Sequence, residues 1–153
     1  RMIEIKFDCD RKFETLKVKN FVENSIDLIL EMLKNGSEEV YVSVFLTNNE
    51  EIKKINLKYR KINKPTNVLS FPQNEKRMIS NVENCLVLGD IVISLEKILS
   101  EASEQKKNFF EHLLHMIVHS ALHLYGFDHT NKKNSIMMEA KEKDIMRKIQ
   151  QGL

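Results

Sequence analysis

The sequence predicts an α/β protein of the α+β type, in which a small mixed sheet of four strands is covered by about five helices. Three observations support this fold. Apolar residues alternate in some segments and recur every three or four residues in others, as expected for strands and helices. The chain of 153 residues is long enough to bury a substantial core. It contains no repeat, low-complexity tract or linker, so we expect one domain over residues 1–153.

The first half of the chain predicts two strands and two helices. MIEIKF, residues 2–7, alternates like a strand, whereas residues 17–34 have apolar positions at a helical period and meet a stop signal at Asn35-Gly36. VYVSVFL, residues 40–46, is β-branched and aromatic and predicts the second strand. TNNE, residues 47–50, has the pattern of a capping box and predicts a helix that continues to about Tyr59.

The middle of the chain predicts the other two strands. NVLSF, residues 67–71, reads as a short extended piece that ends at Pro72. Residues 73–84 are polar and predict an exposed loop. CLVLGDIVIS, residues 85–94, predicts a strand with a break near Gly89. The chain is then helical to about Tyr125, in one or two pieces, and again over residues 134–150.

Charge and hydropathy limit the possible partners. The net charge of +2 does not by itself indicate a nucleic acid, but KKINLKYRKINK, residues 53–64, holds six basic residues and no acidic one. Such a stretch suits a phosphate backbone and predicts salt-sensitive binding. No run approaches the ~18–20 apolar residues of a membrane span, and the N-terminus lacks the apolar core of a signal peptide. We therefore expect no membrane partner and a cytoplasmic location.

The five histidines of the chain all lie within residues 112–129. On a helix ending near Tyr125, four of them would share one face: His112, His115, His119 and His123. One interpretation is a polar stripe of half-buried, hydrogen-bonded side chains. The spacing favours a metal site, because residues at i and i+4 can direct two imidazoles onto one ion.

The third ligand of such a site must come from beyond the helix. At ~1.5 Å rise per residue, His115 and His123 are separated by about 12 Å along the axis, too far for bonds of about 2.1 Å to one ion. Gly126 can adopt the left-handed conformation that ends a helix, and His129 follows three residues later. The sequence therefore predicts a site made of His119, His123 and His129.

The donor set and its spacing indicate a catalytic zinc site. Three neutral imidazoles suit one Zn²⁺ per chain, although another transition metal is possible, and three protein ligands leave a coordination position open. The pattern HxxxHxxGxxH is also that of the zinc helix of metzincin proteases, which carry Glu directly after the first histidine where this chain has Ser120. Asp128 could orient a ligand imidazole or form a turn, and His115 could hydrogen-bond near the site or pack. Glu111 and Glu139 are expected to be solvated.

Three segments together resemble the signatures of one family. YRKINKPTNVLSFP, LVLGDIVIS and LLHMIVHSALHLYGFDH resemble, in this order along the chain, signatures of the YbeY family of bacterial endoribonucleases. The resemblance implies a single metal-dependent hydrolase domain with a fold akin to metzincins. It also implies a zinc held by His119, His123 and His129, with His119 and Arg60 as catalytic residues. This chain departs from the usual family form at Ser120 and Phe127, which stand where Gly and Tyr are common.

The implied activity is zinc-dependent cleavage of single-stranded RNA, including maturation of the 16S rRNA 3′ end, with a part in ribosome biogenesis and quality control. The ribosome or small-subunit proteins would then be partners. A planar guanidinium such as that of Arg60 can take two phosphate oxygens at once and stabilise charge in the transition state. Lys64 would bind the phosphate backbone. Thr66, Asn67 and Ser70 could donate to phosphate or to the backbone of a turn, and we favour the turn.

Two other functions fit parts of the pattern. A metallopeptidase-like hydrolase would explain the metzincin spacing, but Ser120 cannot accept the proton of a water as Glu does. A non-catalytic ribosome-assembly factor would use the metal only to brace its C-terminal fold. Cleavage of RNA or of peptide, with and without a chelator, would distinguish them.

Overall fold

The computed structural model describes residues 2–151 and confirms the predicted fold class, with a four-stranded mixed sheet and six helices in that range. The strands are β1 (Met2–Phe7), β2 (Val40–Thr47), β3 (Val68–Ile79) and β4 (Val82–Ser94). The helices are α1 (Arg11–Thr15), α2 (Val18–Leu33), α3 (Asn49–Arg60), α4 (Leu95–Glu104), α5 (Phe109–Leu124) and α6 (Lys132–Gln150). The helix that the sequence did not predict is α1, a five-residue turn with one buried side chain, Phe13.

The strands lie in the order β1-β2-β4-β3, with β1, β2 and β4 parallel and β3 antiparallel to β4. The expected break near Gly89 is confirmed as a change of register, because Tyr41 and Val42 of β2 pair with Val87 and Gly89 of β4. Gly89 has a φ of +144°, and a Cβ there would stand 3.0 Å from Pro72 Cα and collide with the carbonyl of Phe71. The absence of a side chain at Gly89 thus lets β3 approach β4 closely.

The prediction of a loop over residues 73–84 is wrong. β3 continues through Pro72 to Ile79 and returns into β4 through Ser80 and Asn81, which both have positive φ (46° and 69°) as in a two-residue hairpin turn. Most side chains of this outer half are exposed, so no alternation marks it. Pro72 is tolerated because β3 is an edge strand of the sheet.

Helices cover the two faces of the sheet unequally. α2, α5 and α6 contribute to the main core, which includes the inward side chains of β2 and β4. The other face is covered in part by α3, where Ile52 packs with Leu69 of β3 and Val92 of β4. Because α5 is buried along most of its length, the side chains at its far end are held in fixed positions.

Side-chain caps define where the helices begin. Asn48, rather than Thr47, caps α3 by accepting a hydrogen bond from the Glu51 backbone N–H at 2.9 Å, one residue later than the TNNE pattern predicts. Asn108 caps α5, which confirms a helical region in two pieces. Within residues 2–151, no helix combines the length and the apolar character needed to cross a bilayer.

Candidate metal centre and its cavity

The last two turns of α5 bring two imidazoles together, with their ring planes inclined at 81°. The Nε2 atoms of His119 and His123 are 3.1 Å apart, and their ring centroids are 4.6 Å apart. Two ligands of one tetrahedral ion with Zn–N bonds of about 2.1 Å would have their nitrogens about 3.4 Å apart. The i, i+4 spacing therefore produces a pair of nitrogens that could share an ion.

The chain beyond α5 returns the third imidazole to the same point. Gly126 has a φ of +95°, and its N–H and that of Phe127 donate to carbonyls of the last helical turn at 3.0 Å. The His129 ring then lies 5.8 Å from that of His119 and 5.2 Å from that of His123, between centroids. One ring nitrogen of each histidine lies within 4.8 Å of the others, so the three could hold a metal ion.

The local electrostatics favour a neutral, lone-pair-bearing imidazole at His123. Burial lowers the pKa of His123, and the neighbouring His119 and His129 lower it further. A metal binds imidazole only in its deprotonated form, so this shift keeps His123 available as a ligand to a lower pH than an ordinary histidine.

Glu142, which the sequence analysis missed, supports this centre from α6. Its Oε1 lies 2.5 Å from His119 Nδ1 and its Oε2 lies 3.1 Å from His115 Nε2, and the residue is only 8% exposed. Burial raises its pKa, but hydrogen bonds and charge from the two histidines outweigh this and lower the pKa to about 2. The carboxylate accepts the hydrogen on His119 Nδ1, which leaves the lone pair on Nε2 for an ion.

A sequence signal for Glu142 exists in retrospect. It lies four residues after Met138 and three before Ile145, and both of these are buried in the core. A carboxylate on the apolar stripe of a helix needs a buried partner. Glu111 and Glu139, expected to be solvated, are both exposed.

The other residues of the histidine segment have separate roles. His112 is buried and its Nε2 lies 2.9 Å from Glu101 Oε1 on α4, whereas His115 and His119 contact Glu142, so three histidines of the stripe divide between two carboxylates. His115 does hydrogen-bond beside the centre, through Glu142.

Asp128 forms a turn rather than orienting a ligand. Its Oδ1 accepts hydrogen bonds from the backbone N–H and the hydroxyl of Thr130 and from Asn134 Nδ2, at 3.3, 3.0 and 3.0 Å. These bonds, that from the Thr130 backbone foremost, lower its pKa. Within residues 2–151 it makes no hydrogen bond to the three clustered imidazoles, so the turn alternative is the one that the geometry supports.

A cavity of about 600 Å³ opens beside the three imidazoles. Its walls come from the end of α3, the first half of β3, α5 and the turn after α5; among the lining residues are Arg60, Thr66, Asn67, Ser70, Pro72, Met116 and Asp128. Arg60 is exposed, and within residues 2–151 its guanidinium has no carboxylate partner. The guanidinium cation of Arg60, which is distant in sequence, thus lines the same cavity as the clustered imidazoles.

The neighbouring polar residues are mostly used in the fold. Ser70 Oγ donates to the Ser120 carbonyl at 3.4 Å, and Asn67 Nδ2 donates to Glu101 Oε1 at 3.1 Å. Lys64 is exposed and does not line the cavity; its carbonyl accepts a hydrogen bond from Asn56 Nδ2 at 2.9 Å. The Ser70 and Asn67 side chains therefore donate to α5 and α4, and not to the backbone of a turn as we favoured.

Ser120 is not part of the cavity. The side chain is fully buried, and its hydroxyl donates to the Met116 carbonyl one turn earlier at 2.8 Å. A small residue is accommodated here without displacing the histidines on either side.

The fold and this site define an α+β protein whose central helix and following turn carry a three-histidine centre able to hold a metal, in an open cavity with an exposed arginine. The family model described as Endoribonuclease YbeY matches residues 4–150. The chain belongs to the endoribonuclease YbeY family, as the three signature segments suggested.

Individual relatives agree with this membership. A protein named Endoribonuclease YbeY from Thermoanaerobacter sp. is 36% identical over 149 residues, covering 92% of this chain and 93% of the relative. One of the same name from Bartonella bacilliformis is 46% identical over 108 residues, covering 71% of this chain and 67% of the relative. The solution structure of a Thermotoga maritima protein superimposes with a TM-score of 0.64 at 30% identity, covering 95% of this chain and 87% of that one.

Proposed function

We propose that this chain is a single-strand-specific, zinc-dependent endoribonuclease. Family membership supports RNA cleavage, and the donor set of three imidazoles with an open position supports a catalytic ion. The observation that carries the proposal is the meeting of the three histidines and Arg60 around one cavity.

In this proposal each residue has a distinct task. His119, His123 and His129 hold the ion, and Glu142 fixes the ring orientation of His119. When bound, Zn²⁺ supplies Lewis acidity toward water and phosphate oxygen. Arg60 binds the non-bridging phosphate oxygens and stabilises the negative charge that develops on them. Lys64 and the other basic residues of the stretch 53–64 bind the RNA phosphate backbone on either side of the cleaved bond.

The further assignment concerns the substrate. We propose that this activity serves maturation of the 16S rRNA 3′ end and ribosome quality control, with the small ribosomal subunit as partner. The basic stretch of residues 53–64 supports an RNA substrate, because it contains Arg60, which lines the cavity, and five lysines that can attract phosphates to it. Cleavage of a 16S precursor near its 3′ end by the purified protein, compared with an unrelated RNA of equal length, tests this.

The central experiment combines metal analysis with cleavage assays. We expect about one zinc per chain, cleavage of single-stranded RNA in preference to duplex, loss of activity with a chelator and recovery with Zn²⁺. His119→Ala and Arg60→Ala should both abolish most cleavage, but only the first should lose metal. Cleavage of peptides instead of RNA would support a metallopeptidase, and RNA binding without cleavage would support an assembly factor; either result overturns the proposal.

A further inference from the structure

An aromatic side chain stands exposed at the end of α3, beside the arginine of the cavity. Tyr59 is 60% exposed, although it continues the stripe of Ile52 and Ile55 that faces the sheet. This stripe reaches the edge of the sheet, and the Tyr59 ring therefore lies over the edge strand β3. Phe71 is its aromatic support, with ring centroids 5.3 Å apart and planes inclined at 60°.

The position of this ring relates it directly to the cavity. Arg60, the next residue, lines the cavity. On β3 the residues on either side of Phe71, namely Ser70 and Pro72, line the cavity as well. Leu69 also lines the cavity, whereas Phe71 and Tyr59 do not, so the two aromatic rings lie at the margin of the cavity, next to Arg60. An RNA strand bound at Arg60 can reach the Tyr59 ring within a nucleotide or two.

The surroundings of Tyr59 are basic. Lys58 Nζ lies 5.2 Å from the centroid of its ring, and the stretch from Lys53 to Lys64 contains no acidic residue. Exposed aromatic rings between cations are the usual means by which proteins bind unpaired nucleotides, because bases stack on the ring while cations hold the phosphates. This positive charge would not favour the binding of an apolar protein partner.

We propose that Tyr59, supported by Phe71, is a stacking site for one unpaired base of the RNA next to the phosphate held by Arg60. The proposal rests on the endoribonuclease function and deepens it, since it gives a physical basis for single-strand preference. In a duplex the bases are stacked on one another and cannot reach the ring without unpairing.

The test uses the metal-loaded protein and a short single-stranded RNA with 2-aminopurine, whose fluorescence is quenched by stacking. The variants are Tyr59→Ala, Tyr59→Phe and Tyr59→Leu, and Leu57→Ala is the control because Leu57 is exposed (45%) on the same helix. We expect Tyr59→Ala and Tyr59→Leu to lose the quenching and to raise KM about 5- to 100-fold with little change in kcat. Tyr59→Phe and Leu57→Ala should resemble the parent protein.

An abasic nucleotide at the stacked position separates stacking from fold effects. Removing the base should weaken binding to the parent protein but not to Tyr59→Ala, so that the two changes are not additive. Tyr59→Leu retains an apolar contact to Phe71, so a loss of RNA binding in this variant is not explained by lost packing against Phe71.

Failure of this inference differs from failure of the proposed function. If the parent protein cleaves single-stranded RNA while Tyr59→Ala keeps its KM and its quenching, the stacking site is wrong and the endoribonuclease stands. If the parent protein does not cleave RNA at all, the proposed function is wrong, and the stacking proposal that rests on it falls as well.

Discussion

The Glu142 carboxylate lies 2.5 Å from His119 Nδ1 and links α6 to the metal-ligand helix α5. Its second oxygen contacts His115, so one buried carboxylate holds two imidazoles one turn apart on the same face. The two contacts fix the ring orientation of His119, and with it the direction of its Nε2 lone pair toward His123. The preorganisation of the centre therefore depends on a helix that contributes no ligand of its own.

Glu142→Gln should weaken zinc binding about 10- to 100-fold, because the amide accepts a weaker hydrogen bond from His119 Nδ1 and lacks the negative charge. The measurement is competition with a chromophoric chelator at pH 7.5, and Glu139→Gln, an exposed neighbour one turn earlier, is the control. Equal zinc affinities for Glu142→Gln and the parent protein would show that Glu142 serves only packing.

The metal-free protein should lose stability as the pH falls through 6.5. The pKa of His123 is lowered in the folded state, so the unfolded chain binds the proton first and is favoured by acid. The pKa of Glu142 is about 2 in the folded protein, below the usual value of 4.5 for a glutamate. Its contribution to stability is therefore complete above pH 4.5 and is lost only as the pH falls from 4.5 toward 2. Between pH 7.5 and 5.5 the effect therefore belongs to the histidine.

Thermal unfolding of the chelator-treated protein across this interval measures the effect. His123→Gln should flatten the decline in Tm, and bound Zn²⁺ should raise Tm more at pH 7.5 than at pH 5.5, because protons compete for the ligand nitrogens. A decline of the same slope in His123→Gln would assign the effect to other groups.

Arg60→Ala should lower kcat for RNA cleavage by about 100- to 1,000-fold while leaving the zinc content unchanged. The guanidinium has no carboxylate partner within residues 2–151, so its removal should cost little stability. Lys64→Ala is the comparison: it should lower affinity modestly and reduce the slope of log affinity against log salt by about 0.7, because one phosphate contact is lost. Equal effects of both changes on kcat would contradict a special role for Arg60.

The sequence predicts those features whose cause is local. β1 and β2 alternate because one face of each packs on the core, and the spacing of the three histidines encodes both a helix and its end. The outer half of β3 is exposed on both faces and lacks any alternation, so polar residues in a hairpin looked like a loop. Glu142 reaches the centre, and Arg60 its cavity, through tertiary packing of α6 and α3; spacing along the chain marks Glu142 as a buried carboxylate but does not record which partners it meets.

Ser120→Gly should leave zinc affinity unchanged, because the Ser120 side chain is buried away from the cavity and bonds only to the Met116 carbonyl. The change should lower the free energy of unfolding by about 1 kcal/mol, since glycine in a helix interior is unfavourable. Chelator competition and denaturant unfolding check the two expectations. A large loss of zinc affinity would show that the backbone at position 120 helps to place the histidines.

Gly89→Ala should destabilise the protein and disturb the cavity together. The added Cβ would collide with the Phe71 carbonyl and stand 3.0 Å from Pro72 Cα, and the φ of +144° is unfavourable for alanine. We expect a loss of about 1–3 kcal/mol, or roughly 2–12 °C in Tm, together with a raised KM as β3 moves. Gly36→Ala, also at positive φ (+62°) but with open space around it, isolates the backbone strain. Equal losses in the two variants would show that the close approach of β3 to β4 does not position the cavity wall.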